Sequence, residues 1–148
     1  MAKVIRRYHQ NGLLHLEYFE INGKVQGKSI KYVDGLLYDI CPYVNSKLNG
    51  LILQFNDNGN LWSSTYYTNG RQDYQLTYNK NGTLFSTFNY LNDNAIGKYK
   101  VYYENSILRS ICHYSNNKLQ GDCIEYDING NILTHAIYHN GKMIKTII

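Results

Sequence analysis

The chain of 148 residues is poor in helix formers, in charge and in proline: it holds three alanines (Ala2, Ala95 and Ala136) and one proline, Pro42. Ala is the strongest helix former, so this scarcity, beside 16 tyrosines and 12 glycines, excludes a helical protein. Asp, Glu, Lys and Arg together make up only 18% of residues against 43% hydrophobic ones, which excludes a disordered polyelectrolyte tail. A net charge of +4 is too small for the dense basic footprint of a nucleic-acid binder, and no nucleic acid is expected as a partner. Cys41, Cys112 and Cys123 are an odd set without metal-ligand spacing, which argues against a disulfide framework or a zinc site and suits a reducing compartment. The first residues, Met1-Ala2-Lys3-Val4-Ile5-Arg6-Arg7, lack the apolar run of a signal peptide, and no stretch approaches the roughly 20 apolar residues of a membrane span. A cytoplasmic protein with a single domain over residues 1–148 is the expectation.

What is present is a repeat. Aromatic anchors stand at Tyr8, Tyr32, Phe55, Tyr78, Tyr102 and Tyr126, spaced by 24, 23, 23, 24 and 24 residues. After each comes a turn dipeptide (Asn11-Gly12, Asp34-Gly35, Asn58-Gly59, Asn81-Gly82, Asn105-Ser106, Asn129-Gly130), then an aliphatic residue two positions on: Leu14, Leu37, Leu61, Leu84, Leu108 and Ile132. A second turn follows about ten residues later, from Asn22-Gly23 in the first unit to Asn140-Gly141 in the last. Asn-Gly and Asp-Gly are hairpin signals because both central positions of a type I′ turn need positive φ. Between turns the chain alternates with the period of a strand, as in Leu84-x-Ser86-x-Phe88-x-Tyr90.

Six β-hairpins in tandem are therefore expected, giving about twelve strands in an all-β, single-layer antiparallel meander that curls into an elongated open sheet. One hairpin is marginal alone, so stability must come from neighbours. The return strands are expected to start at Gly27, Gly50, Gly97 and Gly121, with Asp73 replacing that glycine in the third unit and changing its turn. The last unit is expected to lack its return strand, its final residues Lys142–Ile148 capping the edge.

Chemistry is sparse. His135 and His139 have a spacing that binds zinc on a helix, but on a strand four residues separate side chains by about 13 Å. Cys112 and His113 are adjacent and point to opposite faces, so they make no nucleophile–base dyad. Cys112 and Cys123 sit at mirror positions about a turn and could face each other across one hairpin. The carboxylates are scattered, and no Gly-rich phosphate loop or Gly-x-Ser-x-Gly appears. No catalytic residue, metal or cofactor is expected, and the chain does not read as an enzyme.

The Tyr-x-x-Asn-Gly-x-Leu … Tyr-x-Asn-Gly-Lys-x-x-Gly pattern, best seen over Tyr8–Tyr32, Tyr102–Tyr126 and Tyr126–Lys142, resembles the MORN-type repeat, in the variant common in bacterial and giant-virus proteins. The resemblance covers nearly the whole chain. It implies a curved single-layer sheet, no catalytic residues, and roles in protein–protein contact, at membranes or phosphoinositides, or as antitoxins. Cys41-Pro42 departs from the pattern and is expected to interrupt its strand, as Asp73 departs in the third unit. The bias to Asn, Ile, Lys and Tyr matches an AT-rich genome.

A single-layer sheet cannot bury both faces by itself. Aromatics outside the repeat consensus, namely Tyr38, Trp62, Tyr66, Tyr74, Phe85 and Tyr99, are concentrated in the middle units, and Trp62, Ser64 and Tyr66 alternate on one side of a strand. These six are the candidate partner-binding residues, for rigid aromatics dominate interface energetics. A protein partner is expected. The competing readings are an anionic lipid surface met by Lys98, Lys100 and other basic residues, and pairing of two copies into a homodimer.

Overall fold

Positive φ at the turn positions and period-two alternation between them set the architecture. The computed structural model describes residues 1–148 and contains no helix. Its strands are β1 (Ala2–Tyr8), β2 (Leu14–Ile21), β3 (Lys24–Val33), β4 (Leu36–Val44), β5 (Lys47–Leu48), β6 (Gly50–Phe55), β7 (Leu61–Thr68), β8 (Arg71–Tyr78), β9 (Leu84–Leu91), β10 (Asn94–Tyr102), β11 (Leu108–Ser115), β12 (Lys118–Tyr126), β13 (Ile132–His139) and β14 (Lys142–Thr146). They follow one another in a single open antiparallel sheet, with β5 a two-residue stub paired only to β4. Two compact units divide the chain, Met1–Gln72 and Asp73–Ile148.

The repeat pattern is a register device. Each anchor pairs with the aliphatic residue of its own unit: Tyr8 with Leu14, Tyr32 with Leu37, Phe55 with Leu61, Tyr78 with Leu84, Tyr102 with Leu108 and Tyr126 with Ile132. The residue after each aliphatic is left over as a β-bulge, which bends the strand at the same place in every unit. The turn between anchor and aliphatic is closed by side chains. Asn56 Oδ1 accepts from the backbone N–H of Asn58 and Asn60 at 3.0 Å each, and Asp127 Oδ1 does the same for Asn129 and Asn131.

The second turns join successive hairpins. In the first unit the Ser46 N–H donates to Val25 O at 2.9 Å while the Val25 N–H donates to Ser46 Oγ, and the Gly70 N–H donates to Leu48 O at 2.7 Å. In the second, Asn117 and Ala95 exchange the same pair of bonds, and the Gly141 N–H donates to Leu119 O. Each of these four turns satisfies a backbone group of the hairpin before it, so neighbouring hairpins support one another.

With no second layer, burial is thin and uses small residues. In the first unit Ser63, Ser64, Thr65 and Ile52 are the buried side chains; in the second they are Ser86, Ala95 and Cys112. Beside them Tyr114 packs edge-on against Phe88 and Tyr99, and Phe88 and Tyr99 pack tilted, with ring centroids 4.8 Å (Phe88–Tyr99) and 4.9 Å (Phe88–Tyr114) apart.

Four expectations are corrected. There are fourteen strands rather than about twelve, and the last unit does have a return strand, β14, paired with β13. The return strands β3, β10 and β12 begin three residues before Gly27, Gly97 and Gly121, which sit inside them as positive-φ bulges. Pro42 does not interrupt β4; the break falls in the return strand, where the Asn49 N–H donates to Pro42 O and a Cβ on Gly50 would meet Pro42 at 3.1 Å. The pairing of Cys112 with Cys123, which the sequence leaves open, is a disulfide. The Gly121 bulge causes this: Tyr114 pairs with Leu119, but past the bulge the register moves by two residues and sets Cys123 directly opposite Cys112.

Candidate binding face

In β7 the period of two sends Trp62, Ser64 and Tyr66 to one side and Ser63 and Thr65 to the other. The register with β6 places Leu51 opposite Tyr66 and Leu53 opposite Ser64. The second side is closed, Ser63 being fully buried; on the first the large side chains are exposed, Leu51 by 42%, Trp62 by 40% and Tyr66 by 37%, with the small Ser64 buried between them. Trp62 is the bulge residue of its unit and has no direct partner in β6. The result is a solvent-facing apolar and aromatic group on a rigid, paired backbone.

Of the other sequence candidates, Tyr38 belongs to the same unit and is also a bulge residue. It is half-buried beneath the Lys31 ammonium, which lies 4.9 Å from its ring centroid. In the second unit Tyr74 and Phe85 are exposed, Tyr74 opposite Asn89 and Phe85 at the bulge. Tyr99 lies on the opposite side from these, in the packed cluster with Phe88 and Tyr114. The candidates therefore divide into an exposed set (Trp62, Tyr66, Tyr74, Phe85), one covered residue and one that packs. Leu51 was missed by the sequence reading, because an isolated aliphatic at a strand start carries no signal until the register sets it beside Tyr66.

Basic residues of the second unit stand on the side of Tyr74. Lys98 pairs with His113, and Lys100 lies between Thr87 and Ile111. The Arg109 guanidinium stacks 5.7 Å from the Tyr103 ring centroid. Farther on, His135 Nε2 and Asp122 Oδ1 are 2.7 Å apart, and this hydrogen bond holds the Asp122 carboxyl below its usual range. The pair sits on the open surface of β12 and β13. A shallow hollow of about 320 Å³ on the other side is lined by Glu125, Thr134, Ala136, Tyr138 and Met143 next to the disulfide. Burial first, then the Asp39 carboxylate, pushes the Cys41 thiol up to about 12, so it stays protonated and donates to Asp39 Oδ1 at 3.6 Å.

A family model described as "MORN repeat variant" matches residues 48–70 and 96–116. No curated protein matches the chain. Among solved structures, one of accessory secretory proteins 1, 2 and 3 in Streptococcus pneumoniae aligns with 66% of this chain and 18% of its own, at 18% identity and a TM-score of 0.43. A GtfA/B complex bound to UDP and GlcNAc aligns with 81% of this chain and 22% of its own, at 13% identity and a TM-score of 0.35. The chain spans about a fifth of the length of these two chains. No helix of the structure is long and apolar enough to cross a membrane.

Proposed function

The chain is a MORN-type repeat protein, and from that premise we propose that it is a non-enzymatic scaffold that binds a protein partner through the aromatic face of its sheet. The observation that carries this reading is the group of Leu51, Trp62 and Tyr66, large side chains left exposed on one side of β6 and β7 around the buried Ser64, while Ser63 and Thr65 are buried on the other side. Large apolar side chains held on a paired backbone lose little entropy on binding and match the residue types of interface hot spots. Neutralising a partner, as an antitoxin does, is one form such binding takes. The test is affinity capture from the native host with wild type and a Trp62→Ala/Tyr66→Ala variant whose circular dichroism is unchanged. Loss of the partner with the variant supports the face, and equal recovery refutes it.

A second reading rests on exposed Lys98 and on exposed Arg109 beside the Tyr103 ring: attachment to an anionic membrane surface. Sedimentation with anionic and neutral vesicles separates the two readings. Salt-sensitive binding to anionic vesicles alone selects the lipid reading, and no binding to either returns the protein partner.

A further inference from the structure

We infer that His9 and His15 form a two-imidazole site for a divalent transition-metal ion. The repeat geometry builds it. Because Tyr8 pairs with Leu14, the bulge residue His15 is brought next to His9, the residue that follows the anchor. The same two positions meet in the fifth unit, where they hold Tyr103 and Arg109 in stacking contact. In the first unit they bring His9 Nε2 and His15 Nδ1 to 3.1 Å, with ring centroids 4.3 Å apart and planes inclined at 58°. Both rings are half-buried.

In two other units the residue after the anchor serves its own turn: Asn56 and Asp127 accept two backbone N–H groups each. His9 does not; in its unit Asn11 Oδ1 accepts from the Leu13 N–H at 3.1 Å, as Asn105 Oδ1 does from the Ile107 N–H beside Tyr103. The imidazole at this position is therefore spared from closing the turn and faces a second imidazole instead. Two neutral ring nitrogens so placed share one proton or donate both lone pairs to one ion. Bound to a single ion at about 2.0–2.1 Å with a tetrahedral angle, two such nitrogens stand about 3.3–3.4 Å apart. The observed separation needs an adjustment of only a few tenths of an ångström. The Tyr32 carbonyl oxygen, 3.3 Å from His15 Nδ1, is a further oxygen beside the pair, and water fills the remaining positions. Paired imidazoles select zinc, nickel or copper over calcium or magnesium, which prefer oxygen ligands.

The probe is Zn(II) alone, titrated into the full chain and followed by the ring ¹⁵N signals of its histidines together with calorimetry. The signals of His9 and His15 are expected to shift together with one equivalent of zinc, while those of His113, His135 and His139 stay in place. Loss of even an outer-shell partner typically weakens metal sites by about 10–100-fold, so His9→Gln should weaken zinc binding by at least about tenfold. His135→Gln should leave it unchanged. His9 is at the turn, so His9→Gln is expected to keep its circular dichroism; should it not, the wild-type ring signals decide alone. Stationary His9 and His15 signals up to about millimolar zinc, or equal binding by a folded His9→Gln variant, would overturn the site.

Discussion

At the scale of single residues, the informative side chains are those whose environment sets their chemistry. Cys41 is the free cysteine, and burial together with the neighbouring Asp39 carboxylate holds its thiol up to about 12. The thiolate is the reactive form, so alkylation by iodoacetamide at about pH 8 is expected to be slow in the folded chain and to accelerate on denaturation. Equal rates in both states would show that Cys41 is not sheltered. Asp127 is the opposite case. The Asn131 side chain first, then backbone N–H groups of Asn131 and Asn129, lower its pKa, so the ionised form is favoured on folding. The sign follows: the stabilisation is present above the ordinary carboxyl range and is lost as the pH falls toward and below it. Asp127→Asn keeps the accepting oxygen, as Asn56 does at the equivalent position. The expected order of thermal midpoints at about pH 7 is therefore wild type at or above Asp127→Asn, with Asp127→Ala lowest. The gap between wild type and Asp127→Asn should narrow at about pH 3. A gap that widened in acid would contradict the assignment.

At the scale of the hairpin, turn chemistry decides what is tolerated. Gly70 has φ 85° with no atom within 4 Å of a Cβ placed on it, so the cost of a side chain there comes from the backbone alone. Gly70→Ala is expected to destabilise by about 1–2 kcal/mol in denaturant unfolding. Gly70→Asn should cost less, since Asn117 holds φ 65° at the equivalent place in another unit. If alanine were as good as glycine, the turn would not be of the type that sets the register. Turn residues and alternation made the hairpins readable from sequence, because both act within a few residues. The bulges were not readable in the same way. Gly27, Gly97 and Gly121 appear in sequence as strand starts, yet each adds two residues to one side of a ladder, a property of the pair of strands rather than of either one. The Cys112–Cys123 disulfide depends on that shift, and so does the placing of Tyr99 with Phe88 and Tyr114. The exposed face was half-legible for the same reason: Trp62 and Tyr66 announced themselves by alternation, while Leu51 needed the register.

At the scale of the whole chain, the sheet is open, so β1 and β14 each leave one side of their backbone without a ladder partner. An unpaired edge is a template for another copy, and proteins blunt it with charge. Both edge strands carry it in the same sign. β1 holds Lys3, Arg6 and Arg7, with Lys3 and Arg6 bound to Glu20 and Glu17 of β2, and β14 holds Lys142 and Lys145 beside exposed Met143 and Ile144. Two copies approaching through either edge therefore bring like charges together, within a chain of net charge +4. This repulsion is long-ranged at low ionic strength and is screened when the Debye length shrinks from about 30 Å at 0.01 M salt to about 3 Å at 1 M, while the apolar side chains of β14 gain from burial at any salt. Light scattering should accordingly give a mass near 17.2 kDa in dilute buffer and a rising mass as salt is added. Lys142→Glu/Lys145→Glu should bring association forward to low salt, because it sets an acidic edge against the basic β1. A dimer that forms in dilute buffer and dissociates with salt would mean that opposite charges hold copies together, and that the basic edges do not keep them apart.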